Sequence, residues 1–217
     1  MKIAIFGISG RTGSLVAREA LKKGWKVSGI ARDKTKVSIP GAEITEGNPS
    51  DPDTVKKALA GCDAVVSTLS LFPSTQGLFS KIKTQSDFMS VSIRNAVQVM
   101  KEKGIKRIVL MTALGVGDSF REIPFIFRVL VRISNLRHSY RDHDRQEKIL
   151  EESGLDWTVV RPVMLTDAAD DLSIIYNLRG DRKIGSSITR RAVANFILDC
   201  IEKGEFIGQK PGISNKI

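Results

Sequence analysis

The chain opens on MKIAIFGISGRTG, in which the apolar run Ile3-Ala4-Ile5-Phe6 leads straight into glycines at positions 7, 10 and 13. Helical periodicity follows from Thr12 to Lys23 and stops at Gly24, a suitable C-cap, so the segment reads as strand, tight turn and helix. That arrangement has a clear physical use. Glycines permit the sharp turn and let backbone N–H groups approach a pyrophosphate lying at the positive end of the helix. By itself the G-x-x-G-x-x-G spacing is a weak signal; between a strand and a helix, inside a repeated β-α pattern, it becomes a strong one. Gly7, Gly10 and Gly13 form the candidate cradle, with Ser9 and Thr12 as added hydroxyl donors and Arg11 as a cation within the loop.

The β-α alternation continues through most of the sequence. Val27 to Ala31 is a strand, and Asp51-Pro52 supply the N-cap and first position of a helix that runs to about Ala60, before Gly61. Ala64 to Thr68 is a strand, followed by a polar and aromatic loop through Lys83. Asp87 to Lys103 is a long helix ended by Gly104, and Arg107 to Thr112 is a strand rich in β-branched residues. Tyr140 to Ser153 is helical, Trp157 to Arg161 is a strand closed by Pro162, Thr189 to Lys203 is a last helix, and Phe206-Ile207 add an edge strand. The expected fold is α/β, a Rossmann-like doubly wound parallel sheet with helices on both faces. One domain accounts for residues 1–217, with a small C-terminal segment on the substrate side.

The choice of dinucleotide is made where the second strand ends, about 20 residues past the loop. An acidic residue there accepts hydrogen bonds from a free ribose hydroxyl. This chain has IARDKTK, which puts Arg32 at the strand end with Lys36 close behind. A guanidinium suits a 2′-phosphate, and Arg11 can flank the same phosphate from the other side. The competing reading makes Asp33 the ribose ligand and Arg32 a surface charge. NADP, with NADPH preferred over NADH, is the expected cofactor.

With these residues assembled, the chain resembles the atypical short-chain dehydrogenase/reductases. Within that group it is similar to NAD(P)H-binding proteins akin to biliverdin reductase B, a flavin reductase, and to NmrA-like redox sensors. The segments IAIFGISGRTG, IARDKTK, EGNPSDPDTVKKALAGCDAVVSTL, IKRIVLMTALGVGDS and EESGLDWTVVRPVMLTD carry the resemblance, in the family's order. It implies that Gly7, Ser9, Gly10, Arg11, Thr12 and Gly13 hold the pyrophosphate, with Arg32 on the 2′-phosphate. Asn48 stands where many relatives carry an Asp beside the adenine, and its amide can reach a ring nitrogen. Ser67, Thr68, Leu69 and Ser70 run along the nucleotide, and Pro162, Val163, Met164 and Leu165 form the turn beside the nicotinamide, although Met164 reads equally well as core.

Typical members of the superfamily reduce carbonyls with a Ser/Thr, a Tyr and a Lys four residues beyond it, because a phenol of lowered pKa exchanges a proton while hydride moves. Here Thr112 stands at its strand end, but Tyr140 is followed four positions later by Asp144, so the Y-x-x-x-K motif is missing. Aligned on SGLDWTVVRP, Ser139 takes the tyrosine's place and His143 the lysine's. Thr112 and His143 are the candidate catalytic residues. His143 either bonds the nicotinamide ribose and relays a proton or is a partly exposed helical histidine within YRDHDRQEK; Thr112 either faces substrate or bonds a neighbouring carbonyl. His138 reads as surface.

A net charge of +10 raises the question of nucleic acid, yet the Lys and Arg are scattered and aromatics make up only 6% of residues, so no specific nucleic-acid partner is expected. Cys62 and Cys200 lie far apart without ligand-like spacing and read as small buried residues in a reducing compartment. No apolar run reaches membrane-spanning length and no signal region precedes Gly7, which points to the cytoplasm. TDAADD, residues 166–171, lacks the glycine and spaced ligands of a calcium loop, so no metal is expected. The apolar stretch 120–131, with arginines between, reads as a helix over the active-site mouth, with a dimer contact, a protein partner or a membrane surface as alternatives. Two functions follow: hydride transfer from NADPH to a planar conjugated small-molecule acceptor of flavin, quinone or tetrapyrrole type, or a non-catalytic NADP(H)-binding redox sensor or regulator of the NmrA-like kind.

Overall fold

Strand β1 (Lys2–Phe6) sits inside a sheet and pairs in parallel with β2 (Lys26–Ala31) on one side and β4 (Ala64–Ser67) on the other. The architecture comes from a computed structural model, which describes residues 1–71, 85–168 and 173–216. Among these residues the eight-stranded order is β3-β2-β1-β4-β5-β6-β10-β8, with β3 (Ala42–Glu46), β5 (Arg107–Met111), β6 (Asp156–Pro162), β8 (Ile175–Asn177) and β10 (Gly212–Ser214). Its first six strands are parallel and reproduce the doubly wound order in which the chain reverses direction between β1 and β4. β8 alone runs antiparallel, against β10, and β7 (Met164–Thr166) pairs with β9 (Ser187–Thr189) in a separate two-stranded sheet.

Both faces of the sheet are buried, as a parallel sheet requires. Alternate residues of each strand feed two cores: Ile3, Ile5, Val66 and Val109 point toward α1 (Arg11–Lys22) and α6 (Arg190–Glu202). Ala4, Phe6, Val65 and Leu110 point toward α2 (Pro52–Ala58), α3 (Phe88–Lys103) and α5 (Leu136–Glu151). Full burial of a side chain such as Phe6 or Leu110 is worth about 1.5–3 kcal/mol. Cys200 belongs to the first core and Cys62 to the second, and burial pushes their thiols up to about 12 and about 11.

Local chemistry fixes the helix ends. Asp51 caps α2 through the N–H groups of Asp53 and Thr54, with Pro52 at the first position, and Gly104 closes α3 in the left-handed conformation at φ 71°. The N-terminus of α3 is capped from a distance by Asp142 of α5, whose carboxylate accepts from Met89 N at 2.9 Å and Ser90 N at 3.2 Å.

Two expectations need correction. Phe206-Ile207 form a turn instead of an edge strand: Phe206 takes φ 58° and packs its ring on Phe196 and Tyr176, while β10 supplies the strand beside β6. The helix expected from Tyr140 begins earlier, at Leu136, directly after α4 (Phe125–Ile133). The polar and aromatic loop expected through Lys83 falls mostly on residues 72–84, outside those described, as do residues 169–171 of TDAADD. Of that last motif, Thr166 ends β7, and Asp167 accepts from both Arg11 and Arg190.

Candidate functional site

Because β1 to β6 are parallel, their C-terminal ends share one edge of the sheet. The expected site residues lie along it in spatial order: Asn48 just past β3, Arg32 past β2, Gly7 to Gly13 past β1, Thr68 to Ser70 past β4, Thr112 past β5, and Pro162-Val163 closing β6. The loop lies at the β1/β4 reversal, where crevices in such sheets form.

The glycine turn is as tight as a chain permits. Gly7 has φ 84°, and a Cβ there would stand 2.9 Å from the Thr68 carbonyl oxygen. A Cβ on Gly13 would fall on the Gly7 carbonyl oxygen and 2.7 Å from Thr68 Oγ1. Ile8, fully buried, anchors the loop from beneath by lying on the bare backbone of Gly29 in β2, a fourth structural glycine that the spacing pattern did not reveal. Above it Ser9, Gly10 and Arg11 are exposed, while Thr12 is buried. The first turn of α1 has no side-chain cap and no acidic residue, so its N–H groups face outward at the positive end of the dipole. A cradle that a Cβ at Gly7 or Gly13 would fill, open at an uncapped helix start, fits a dinucleotide pyrophosphate.

Arg32 is exposed directly after β2. Asp33, the competing ribose ligand, is already engaged: its carboxylate accepts from Thr35 N and Thr35 Oγ1 and pairs with Lys36 at 3.1 Å, contacts that hold its pKa below the usual carboxylate range. Arg11 reaches Asp167 at 3.0 Å, on the side of β7. Asn48 is exposed, with its side-chain oxygen accepting from Ser50 N.

At the β5 end the structure shows a polar network with no counterpart in the sequence reading. Thr112 is buried and donates its hydroxyl proton to Glu147 Oε1 at 2.9 Å. Glu147, itself 1% exposed, also accepts from Arg161 Nε at 3.2 Å and from Arg161 Nη2, and Lys210 Nζ stands 3.3 Å from it. Arg161 reaches on to Asp118, and Lys210 to Glu151. Burial opposes charge on Arg161, but Glu147 and Asp118 outweigh it and raise its pKa; burial likewise opposes ionisation of Asp118, which Arg161 and Lys210 nevertheless hold below the usual range.

His143 is buried on the inner face of α5, with Nδ1 3.0 Å from Gln146 Nε2, so the partly exposed helical position considered for it is corrected. Burial pushes its pKa down to about 4 and keeps the ring neutral at neutral pH. Since the unfolded chain binds this proton near 6.5, stability is full above that value and falls as pH drops toward 4, by about 1.4 kcal/mol per pH unit for this group. From pH 7 to 4 the urea midpoint of the wild type should therefore fall relative to that of His143→Leu. Taking the difference removes Asp142, whose burial raises its pKa and acts with the opposite sign. Parallel curves for the two proteins would show that His143 does not titrate there. Tyr140 is bonded through its hydroxyl to the Leu114 carbonyl at 3.2 Å, and burial pushes its phenol up to about 12.

Beyond these residues opens a cleft of about 640 Å³. It is lined by Ala113-Leu114 and Pro162-Val163 at the strand ends, by Tyr140 and Phe127, and by Met164, Asn177 and the stretch 182–186. The walls are mainly apolar, a setting suited to a flat organic ligand held by a few polar groups. α4 does pack at the mouth through Phe127. Met164 is 68% exposed at the rim, so the reading of it as core is corrected.

Comparison with known proteins agrees with this fold. In solved structures, the fold is shared with the anaerobillin reductase ChuY from Escherichia coli O157:H7, at TM-score 0.81 and 20% identity over 99% of this chain and 97% of that one. It is shared equally with a short-chain dehydrogenase/reductase from Veillonella parvula in complex with NADP, at TM-score 0.80 and 16% identity over 99% and 94%. Among curated sequences, a photosystem II assembly factor Ycf39 from Guillardia theta is 27% identical over 73% of this chain and 45% of its own length. A chloroplastic divinyl chlorophyllide a 8-vinyl-reductase from Cucumis sativus is 22% identical over 95% and 51%. The chain thus spans about half the length of these curated relatives. A family described as NAD(P)H-binding matches residues 7–204, which takes in the glycine turn, the β5 and β6 ends and α6. On that match, which spans most of the chain, the chain belongs to the NAD(P)H-binding family.

Proposed function

We propose that the protein is an NADPH-dependent oxidoreductase that passes hydride to a planar, conjugated acceptor of the flavin, quinone or tetrapyrrole type. The observation that carries this reading is the apolar cleft at the ends of β5 and β6, which α5 borders through Tyr140. Tyr140 is held protonated and His143 deprotonated. A conjugated acceptor needs neither, because it takes hydride and draws its proton from water. Three of these similar proteins carry reductase in their names, which supports the class of reaction.

In this reading the N–H groups from Gly7 to Gly13 hold the pyrophosphate, with Ser9, Arg11 and Thr12 beside them. Arg32 takes the 2′-phosphate, Asn48 the adenine, and Thr68, Leu69 and Ser70 the middle of the nucleotide. Pro162 and Val163 border the nicotinamide. Bound NADPH supplies the hydride. Thr112, its proton committed to Glu147, offers lone pairs, and His143 offers a neutral ring; both orient the reactants. Met164, Asn177 and residues 182–186 border the substrate side. We place the protein in the cytoplasm, where its buried thiols stay reduced.

NADPH oxidation with riboflavin, flavin mononucleotide or menadione tests the reaction. Tight NADPH binding without turnover above background for any acceptor would replace it with the redox-sensor reading. The cofactor choice is tested separately. Arg32→Ala should weaken NADPH by roughly 10- to 100-fold in calorimetry, the loss of a charge-assisted hydrogen-bond pair, and leave NADH within about threefold. Equal losses for both nucleotides would move the phosphate contact elsewhere.

A further inference from the structure

Helix α4 is apolar on its outer side as well as its inner one. Val131 is buried and Phe127 lines the cleft, while Phe125, Ile126, Val129 and Ile133 gather on an outward arc of about 100° and are 69%, 82%, 37% and 63% exposed. A helix with apolar residues this far round its circumference is normally covered.

The segment that contains it carries one sign of charge. Between Glu122 and Asp142 the sequence contains Arg128, Arg132, Arg137 and Arg141 and no acidic residue. Arg128 lies over the Phe125 ring and Arg132 over the Phe120 ring, at 5.5 and 5.3 Å, so cationic heads and apolar faces are assembled together. A second copy meeting this face about a two-fold axis would set the arginines against their own image. One helix of nine residues is also short of the roughly 800 Å² per partner that a stable dimer buries. Anionic lipid satisfies both features, since apolar side chains enter the acyl boundary while guanidinium groups meet the headgroups.

The same helix borders the cleft. Phe127 and Pro124 line it, and the exposed Met164 lines it as well. We propose that α4 seats the molecule on an anionic lipid surface through Phe125, Ile126, Val129 and Ile133, so that the cleft beside it draws its acceptor from the lipid. The docking stands on the exposed face and its charge; the delivery of an acceptor rests on the reductase reading.

Flotation with vesicles of phosphatidylcholine, or of an equal mixture with phosphatidylglycerol, tests the docking without any turnover. The protein should float with the anionic vesicles and not the neutral ones, and salt should release it. Ile126→Glu should lower partitioning at least about tenfold, since an exposed apolar anchor is replaced by a charge that the anionic surface repels. Arg132→Glu, a charge reversal on the exposed flank, should weaken binding independently, and unchanged thermal melts show that both variants fold. Absence of flotation at low salt, or wild-type flotation by Ile126→Glu, would overturn the proposal. A dimer in sedimentation velocity that Ile126→Glu dissolves would also overturn it, assigning the face to a second copy.

Turnover gives the second arm. Ile126→Glu should reduce oxidation of NADPH by a long-chain quinone embedded in anionic vesicles at least about tenfold, and leave menadione in solution unaffected. An equal fall with both quinones would overturn the delivery of acceptor from lipid. Failure of every acceptor in the wild type would remove the reductase reading, and delivery with it, while flotation still decided the docking.

Discussion

Replacing Gly13 with alanine is expected to abolish dinucleotide binding, raising the dissociation constant for NADPH at least about 100-fold, because the new Cβ occupies the space that closes the pyrophosphate turn. That carbon would fall on the Gly7 carbonyl oxygen, with Thr68 Oγ1 only 2.7 Å away. Neither neighbour is the free end of a flexible side chain. The Gly7 carbonyl also accepts from Gly10 N at 2.9 Å, and Thr68 is tied by N and Oγ1 to the Phe6 carbonyl. Relief must come from moving α1 off the sheet, against the burial of Val16, Ala17 and Ala20, at a cost of about 1–3 kcal/mol for such overpacking. Gly10→Ala is the control: its Cβ meets only the Gly7 oxygen, at 3.1 Å, in an ordinary backbone conformation. Calorimetry with both nucleotides and urea unfolding of both variants measure the contrast. Wild-type affinity and stability in Gly13→Ala would mean that the turn is more open than described.

Glu147→Ala is expected to cost about 3–5 kcal/mol, a large share of the 5–15 kcal/mol that holds a typical domain together. The wild-type carboxylate is enclosed, with Thr112, Arg161 and Lys210 all directed at it. Its removal leaves the Arg161 guanidinium, 4% exposed, inside the protein with Asp118 as remaining counter-charge. The penalty arises from the stranded cation more than from the lost bonds. Replacing Glu147 and Arg161 together by Met should recover much of it, because a well-packed apolar pair carries no desolvation cost. Lys148→Ala, which breaks the exposed pair with Asp144 on the same helix, should change stability by about 0.5 kcal/mol or less. Urea unfolding of the four proteins gives the comparison, and a Glu147→Ala loss no larger than that of Lys148→Ala would show the network to be dispensable.

The two predictions mark where the sequence was readable and where it was not. The glycine turn was legible because its signal is steric: three residues without Cβ, placed between an apolar run and a helical period, admit few structures. The central strands were legible for a related reason, since burial on both faces leaves continuous apolar runs such as Ala64 to Val66 and Ile108 to Met111. β3 escaped notice because it reads Ala-Glu-Ile-Thr-Glu at the sheet edge and is only partly buried. β7, β8, β9 and β10 are three residues each, too short for any period to show.

Glu147 was hidden differently. The buried stripe of α5 is Ser139, Asp142, His143, Gln146, Glu147 and Leu150, spaced as an inner helix face should be but written almost wholly in polar residues. Hydropathy takes such a stripe for the solvent side. The available clue was the spacing itself, which brings the stripe to Leu150 and, seven residues earlier, to His143. Asp33 and Arg32 show another case: the sequence offers both as ligands at the end of β2, and the fold adds that Asp33 accepts from Thr35 and pairs with Lys36 while Arg32 stands exposed.

The two cysteines stand on opposite sides of the sheet, one at the end of α2 and the other on α6. Alkylating reagents consume thiolates, and neither sulfur offers one while its own side stays closed. Each therefore times the breathing of a different half of the molecule, and the ratio of their labelling rates distinguishes halves that part together from halves that part in turn.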